Sequence, residues 1–230
     1  MLTQNKKRLF DQEKSEYTLR SLNSIIKSME EALKKYPSIT FDIIIIDHKS
    51  KKKDLDKMLE MLNKSNFKNN IINLNVNDFV SSINKINSKN EKVTVNQMSN
   101  MSNINMSILE AKKQCKDLVY FVEDDYMHKT EAINEMISTY ERVSSQVNAE
   151  LVLCPADYPY LYNKIEPTNI FLGSNSHWRV VNETLCTFLT SVSLLKKHWD
   201  KFESMCKFEH YPFEKPLHDI YKSEYCLSPI

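Results

Sequence analysis

Apolar residues along the chain recur in two rhythms. Between positions 17 and 36, Leu19, Leu22, Ile26, Met29 and Leu33 fall at every third or fourth position, the spacing of one helix face. Pro37 ends the run. Phe41-Asp-Ile-Ile-Ile-Ile-Asp47 follows, apolar on both sides as in a central parallel strand covered by helices. Leu55, Met58, Leu59 and Leu62 mark a second amphipathic helix, with Asp54 at its N-cap. Residues 71–76 read as a strand, 79–86 as a short helix, and 101–113 as a helix leading into a strand at 118–122. Ile133, Met136, Ile137, Tyr140 and Val143 make another helix face, and 151–154 a buried strand.

After Pro155 the texture changes. Tyr158, Tyr160, Tyr162, Phe171, Trp178 and Phe188 crowd a stretch that also holds Pro159 and Pro167. Residues 169–172 and 177–181 predict a hairpin around Gly173-Ser-Asn-Ser. Residues 184–190 read as a strand, and Leu195, Trp199, Phe202 and Met205 as one face of a helix. Strands alternating with helices imply an α/β fold, a mostly parallel sheet with helices on both faces. No linker separates the halves, so one domain over 1–230 is expected, with 155–230 an extension of the same domain as 1–154.

Composition removes several function classes. Lys and Arg number 31 against 30 Asp and Glu, a formal charge of +1, which gives no electrostatic footprint for nucleic acid. The run Lys49-Ser-Lys-Lys-Lys53 reads as a solvated loop. Gly173 is the only glycine, so neither a Walker loop nor a G-x-G-x-x-G turn can be built. The five cysteines are scattered without a C-x-x-C pair, the usage of buried, reduced thiols. The N-terminal residues lack the apolar core of a signal peptide, and apolar runs such as 43–46 are too short to span a bilayer. These features predict a cytoplasmic protein without a transmembrane segment, and leave room for peripheral membrane association.

The strand at 118–122 runs straight into Glu123-Asp124-Asp125. Strands are poor in Asp and Glu, and three adjacent carboxylates repel one another. Because strand side chains alternate, Glu123 and Asp125 share a side if the strand continues, with Asp124 turned away. Two carboxylates on one side suit Mg²⁺ or Mn²⁺. An equal reading is a strand-to-loop junction whose acids favour the N-terminus of the next helix. Asp47 closes another strand, as a ligand-binding group or a turn residue. Asp219, beside His218, could act as a general base or simply belong to a helix that starts near Pro216.

Taken together these segments resemble the GT-A-fold glycosyltransferases of the family 2 type. Ile46-Asp47-His48-Lys49-Ser50 is similar to that family's Asp-x-x-Ser turn, and Val122-Glu123-Asp124-Asp125 to its Asp-x-Asp-type acids. The stretch from Asn103 to Ala111 is similar to the Asn-containing helix before those acids. The resemblance implies a GT-A-like (Rossmann-like) domain that transfers a sugar from a nucleotide-sugar donor to a hydroxyl on a glycan or lipid-linked acceptor, with inversion. Bacterial surface-polysaccharide assembly is the usual setting. It implies that Asp47 meets the base, Asp124 the ribose, and Asp125 with Glu123 the metal. Asp219 falls where the family carries its base, with Glu214 as the second candidate. Trp178 and Tyr160 are candidate sugar-stacking rings, although each, taken singly, reads more readily as a core aromatic. Leu2-Thr3-Gln4-Asn5 corresponds to the turn after the family's first strand, placing Thr3 and Asn5 in the donor site and implying a chain clipped at both ends.

Two other readings compete. Phosphoribosyl transfer also uses two acids at a strand end, but Tyr126-Met-His-Lys offers no glycine-containing phosphate loop. The non-enzymatic alternative is a degenerate member of the fold that binds a sugar nucleotide without turnover.

Overall fold

The computed structural model describes residues 12–163 and 165–230; Thr3 and Asn5 lie outside them. The elements run α1 (Lys14–Lys35), β1 (Asp42–Asp47), α2 (Lys52–Lys64), β2 (Lys68–Asn73), α3 (Val95–Gln114), β3 (Leu118–Phe121), α4 (Ala132–Val147), β4 (Leu151–Leu153), β5 (Ile170–Leu172), β6 (His177–Val180), β7 (Phe188–Ser191), α5 (Val192–Lys197), α6 (Trp199–Lys207), α7 (Lys215–Ile220) and β8 (Tyr225–Pro229).

The expected α/β alternation is present, and a sheet with helices on both faces forms. Six strands pair in the order β3-β7-β4-β8-β6-β5, and β1 pairs with β2 in a separate two-stranded sheet. Strand alternation divides the core. Leu151, Leu153, Leu189 and Leu227 join Leu22, Ile26 and Met29 of α1, Leu62 of α2 and Met136 and Val143 of α4. Val152, Phe188 and Cys226 face the other way, onto Ile108 of α3, Leu194 and Leu195 of α5, Phe202 of α6 and Leu217 of α7. Each such buried side chain stabilises by about 1.5–3 kcal/mol, so both faces contribute.

The expectation of a mostly parallel sheet is corrected. β1–β2 and β4–β8 pair in parallel. β3–β7, β4–β7, β6–β8 and β5–β6 are antiparallel. Burial of both faces makes a strand apolar throughout, whatever the direction of its neighbour. β7 inserts between β3 and β4, reversing the pairing on both its edges.

Local boundaries also shift. The second strand lies at Lys68–Asn73, because its register with β1 runs from Asp42↔Lys68 to Asp47↔Asn73. Residues 79–86 form turns rather than a helix. Phe79 and Ile83 keep helical spacing because both are buried against Leu74, Val93 and Met101. α3 starts at Val95, where the Thr94 hydroxyl accepts from Gln97 N and the Gln97 side chain accepts from Thr94 N, a capping box. The helix expected around Leu195–Met205 is two helices broken at His198, whose Nε2 lies 2.6 Å from Glu224 Oε1. Asp54 sits in the first turn of α2, with Lys51 at its N-cap.

The predicted hairpin is present, with Gly173 N–H donating to Ser176 O across its turn. A Cβ at Gly173 would lie 2.2 Å from Glu135 Oε1 and 2.7 Å from Trp178 Nε1. The chain's one glycine therefore stands where a helix carboxylate meets a turn.

Candidate active site

Leaving β3, the chain enters a turn in which Glu123 and Asp124 find different partners. Glu123 N–H donates to the Thr187 hydroxyl at 3.2 Å, and that hydroxyl donates to Glu123 Oε2 at 3.3 Å. Thr187 is fully buried just before β7, so the β3–β7 pairing anchors the first acid. Glu123 opens to solvent but is crowded by protein around its remaining sides. That crowding, then Asp125, with Glu214 and Asp124 adding repulsion, pushes its pKa up to about 7.

Asp124 points elsewhere. Its Oδ2 pairs with Lys14 Nζ at 2.9 Å and accepts from the Thr18 hydroxyl at 3.2 Å, both on α1. The same helix side continues along the loop. The Ser24 hydroxyl accepts His128 N–H at 3.0 Å, and the Ser28 hydroxyl accepts Ile133 N–H at 2.9 Å. Tyr120 OH lies 2.9 Å from His128 Nε2 and completes the tether. Lys14, Thr18, Ser21, Ser24 and Ser28 are spaced by three and four residues, one helix stripe. Ser21, Ser24 and Ser28 are buried, and the apolar reading of α1 passed over this polar stripe.

The two candidate bases separate. Glu214 caps the N-terminus of α7 and acts electrostatically on both Glu123 and Tyr160. Asp219 accepts from Lys222 Nζ at 2.5 Å and lies 3.8 Å from Lys201 Nζ, partners that hold its carboxyl below the usual range. His218 instead braces the segment before β7, with Nε2 3.3 Å from Thr184 N and 3.1 Å from Thr184 O.

Aromatic groups border the acids. Tyr126 OH and Tyr158 OH lie 2.5 Å apart, and Tyr158 stacks on Tyr160 with ring centres 5.4 Å apart. Burial pushes the Tyr126 phenol up to about 12. Tyr160 also lines a cleft of about 80 Å³ with Glu166, Thr168, Arg179, Asn182 and Glu183. Arg179 is held there by Asp157 Oδ1 at 3.0 Å and by the Tyr162 ring at 4.1 Å. Trp178 does not join this surface. Its ring is 1% exposed and its Nε1 donates to Glu135 Oε1 at 3.0 Å, so the candidate stacking ring is a core residue. Packing behind β6 decides this, and ring identity alone could not.

Asp47 is buried at the end of β1, where its Oδ2 accepts Ser50 N–H at 3.3 Å. Lys49 makes that turn with a φ of 60°. Asn103 of α3 donates to Ile46 O at 3.1 Å, and the Ser99 hydroxyl lies 2.6 Å from His48 Nδ1. The Asn-bearing helix thus grips the turn holding Asp47, two motifs that the sequence linked only by order.

Among the described residues, no three His, Cys, Asp or Glu side chains gather as a metal cage. Two carboxylates, Glu123 and Asp125, interact at the acid turn. Mg²⁺ and Mn²⁺ take one or two protein carboxylates and complete their shell with water and substrate phosphate; β3 ends at Phe121, so the strand alternation expected to set Glu123 and Asp125 on one side stops short of both. No described helix is long and apolar enough to cross a membrane. No protein-family model matches the chain, and no curated protein matches it.

Proposed function

We propose that this chain is a nucleotide-sugar-dependent glycosyltransferase of GT-A type, acting in the cytoplasm on a glycan or lipid-linked hydroxyl. The observation that carries the reading is that Glu214, a carboxylate from a distant part of the chain, stands near enough to the acid turn to act on Glu123, whose pKa is pushed up to about 7 by burial first and then by Asp125, Glu214 and Asp124. Displaced carboxylate pKa values cluster at chemical sites. The buried Asp47 turn, gripped by Asn103, supports a second contact for the nucleotide.

In this reading Asp125 and Glu123 hold a divalent cation on the donor diphosphate, Asp124 meets the ribose and Asp47 the base. When bound, the cation neutralises charge on the departing diphosphate. Glu214 accepts the proton from the acceptor hydroxyl as its oxygen bonds the anomeric carbon. The bond from that carbon to the diphosphate oxygen breaks on the opposite face, giving inversion. Tyr160 offers a ring for the acceptor sugar. Glu214 takes the base role here because Asp219 is engaged by two lysines.

That engagement also favours a second reading, a sugar-nucleotide binder without turnover. Calorimetric titration with UDP- and GDP-sugars, with and without Mn²⁺, tests both. Metal-dependent binding lost in Asp125→Ala supports the donor site. Absence of binding to every nucleotide sugar overturns both readings. Binding without transfer to any glycan or lipid-linked acceptor leaves the second.

A further inference from the structure

The geometry points to Lys14 and Thr18 of α1 as positioning residues for the acid turn, a role that rests on the donor-site reading above. Repulsion drives three neighbouring carboxylates apart but does not choose the direction any of them takes; a partner must choose it. Here the hold is explicit. Asp124 Oδ2 receives Lys14 Nζ at 2.9 Å and the Thr18 hydroxyl at 3.2 Å. Lys14 has only 21% of its side chain exposed, so its ammonium meets Asp124 in a partly sheltered setting, where an ion pair is screened less than on open surface.

The hold is part of a longer seam. Further along α1, Ser24 accepts the backbone N–H of His128 and lies 3.3 Å from its Nδ1. Next, Ser28 accepts the N–H of Ile133, at the start of α4. The loop from Asp124 to Ile133 is thereby laid along one helix stripe at three points. Thr187 fixes Glu123 from the opposite side. With one acid pinned to β7 and the next to α1, the chain direction through the turn is set. Asp125 is left to share its field with Glu123. Lys14 and Thr18 touch neither the reacting atoms nor the metal in this arrangement. They act through Asp124, setting the side to which it turns and balancing its charge beside the Glu123–Asp125 pair.

The test uses the full chain carrying Lys14→Met, Lys14→Arg and Thr18→Val. Amide hydrogen exchange across residues 124–128 is followed without any ligand, and donor affinity with UDP- and GDP-sugars plus Mn²⁺. The expected result is exchange in 124–128 faster by about tenfold in Lys14→Met and less in Thr18→Val. Donor affinity falls by about tenfold and about threefold respectively, the scale of one charge-assisted and one neutral hydrogen bond. Lys14→Arg restores most of both. Unchanged exchange in both Lys14→Met and Thr18→Val overturns the proposal. Loss of affinity in Lys14→Met with Thr18→Val at the wild-type value also overturns it, since that pattern means direct contact of Lys14 with phosphate. If the wild-type chain binds no nucleotide sugar, the donor reading falls, and the exchange data alone still decide whether α1 holds the turn.

Discussion

Glu135 and Trp178 meet inside the protein: Glu135 Oε1 accepts the indole N–H at 3.0 Å. The same buried carboxylate also accepts the backbone N–H groups of Ser174, Asn175 and Ser176, at 3.1, 2.8 and 3.3 Å. One side chain of α4 therefore fastens both a core ring and the β5–β6 turn. Arg142, two helical turns further on, donates to Gly173 O at 3.0 Å and reinforces the joint. The pair explains why a tryptophan suited to carbohydrate stacking is instead structural. It also explains why the only glycine sits where it does.

Replacing Glu135 with Ala should leave a buried indole N–H and several turn N–H groups without an acceptor. The expected cost is about 2–4 kcal/mol, since each buried unsatisfied donor costs about 1–3 kcal/mol and water can reach part of the turn. Gly173→Ala should also destabilise, because its Cβ would lie 2.2 Å from Glu135 Oε1. Chemical denaturation of both variants checks this. A Gly173→Ala protein as stable as wild type would refute the packing account.

Glu123 should make stability depend on pH. Its pKa rises from 4.5 to about 7 on folding, so the folded state binds the proton more tightly than the unfolded state. Stability is therefore lost as pH climbs from about 4.5 to about 7 and is flat beyond. Glu123→Gln removes the penalty. Because the group is solvent-exposed, the gain at pH 8 is about 1 kcal/mol after screening, or about 2–4 °C in melting temperature for a chain of this size. The difference should vanish near pH 4.5. Thermal melts at both pH values measure it, and an equal gain at both would contradict the assignment.

The two candidate bases can be told apart by kinetics. Glu214→Gln should lower the transfer rate by about 10²–10⁴, the usual contribution of a general base, while leaving donor affinity nearly unchanged. Asp219→Asn removes only partly exposed ion pairs with Lys222 and Lys201. Such pairs are worth about 0–1 kcal/mol, and turnover should stay close to wild type. The reverse pattern would restore Asp219 as the base.

Tyr160→Ala should weaken acceptor binding more than donor binding. Tyr160 stacks on Tyr158 and borders the cleft holding Asn182 and Glu183. Loss of a stacking ring costs about 0.5–1.5 kcal/mol beyond its buried area, so the acceptor KM should rise by about threefold or more. An unchanged acceptor KM with a raised donor KM would move Tyr160 to the donor side.

Much of this arrangement was legible in local pattern. The spacing of Leu22, Ile26 and Met29 marks the buried face of α1, and all three are buried. The hairpin around Gly173 follows from its flanking strand pattern and turn residues. The stretch after Phe121 stands out because acids follow an apolar strand. The pattern failed where a residue's spacing arose from something other than its own element. Phe79 and Ile83 share helical spacing but belong to turns, because both fill the space beside Met101. His198 breaks what reads as one helix, held by a contact to Glu224 that lies 26 residues away.

By itself, the sequence determined most of the helices and strands though not all their limits, that the sheet is covered on both faces, and where carboxylates leave a strand. Those properties follow from periodicity, which records how each short segment meets apolar and polar surroundings. Only the tertiary structure decided that β7 lies between β3 and β4, that Glu214 rather than Asp219 joins the field around Glu123, and that Trp178 is sealed by Glu135. It also decided that Asp124 turns to α1, through a bond to Thr18 that spans 106 positions of chain. Such choices depend on which distant side chain fills a given space and which charge stands beside it, and no window of neighbouring residues contains that information.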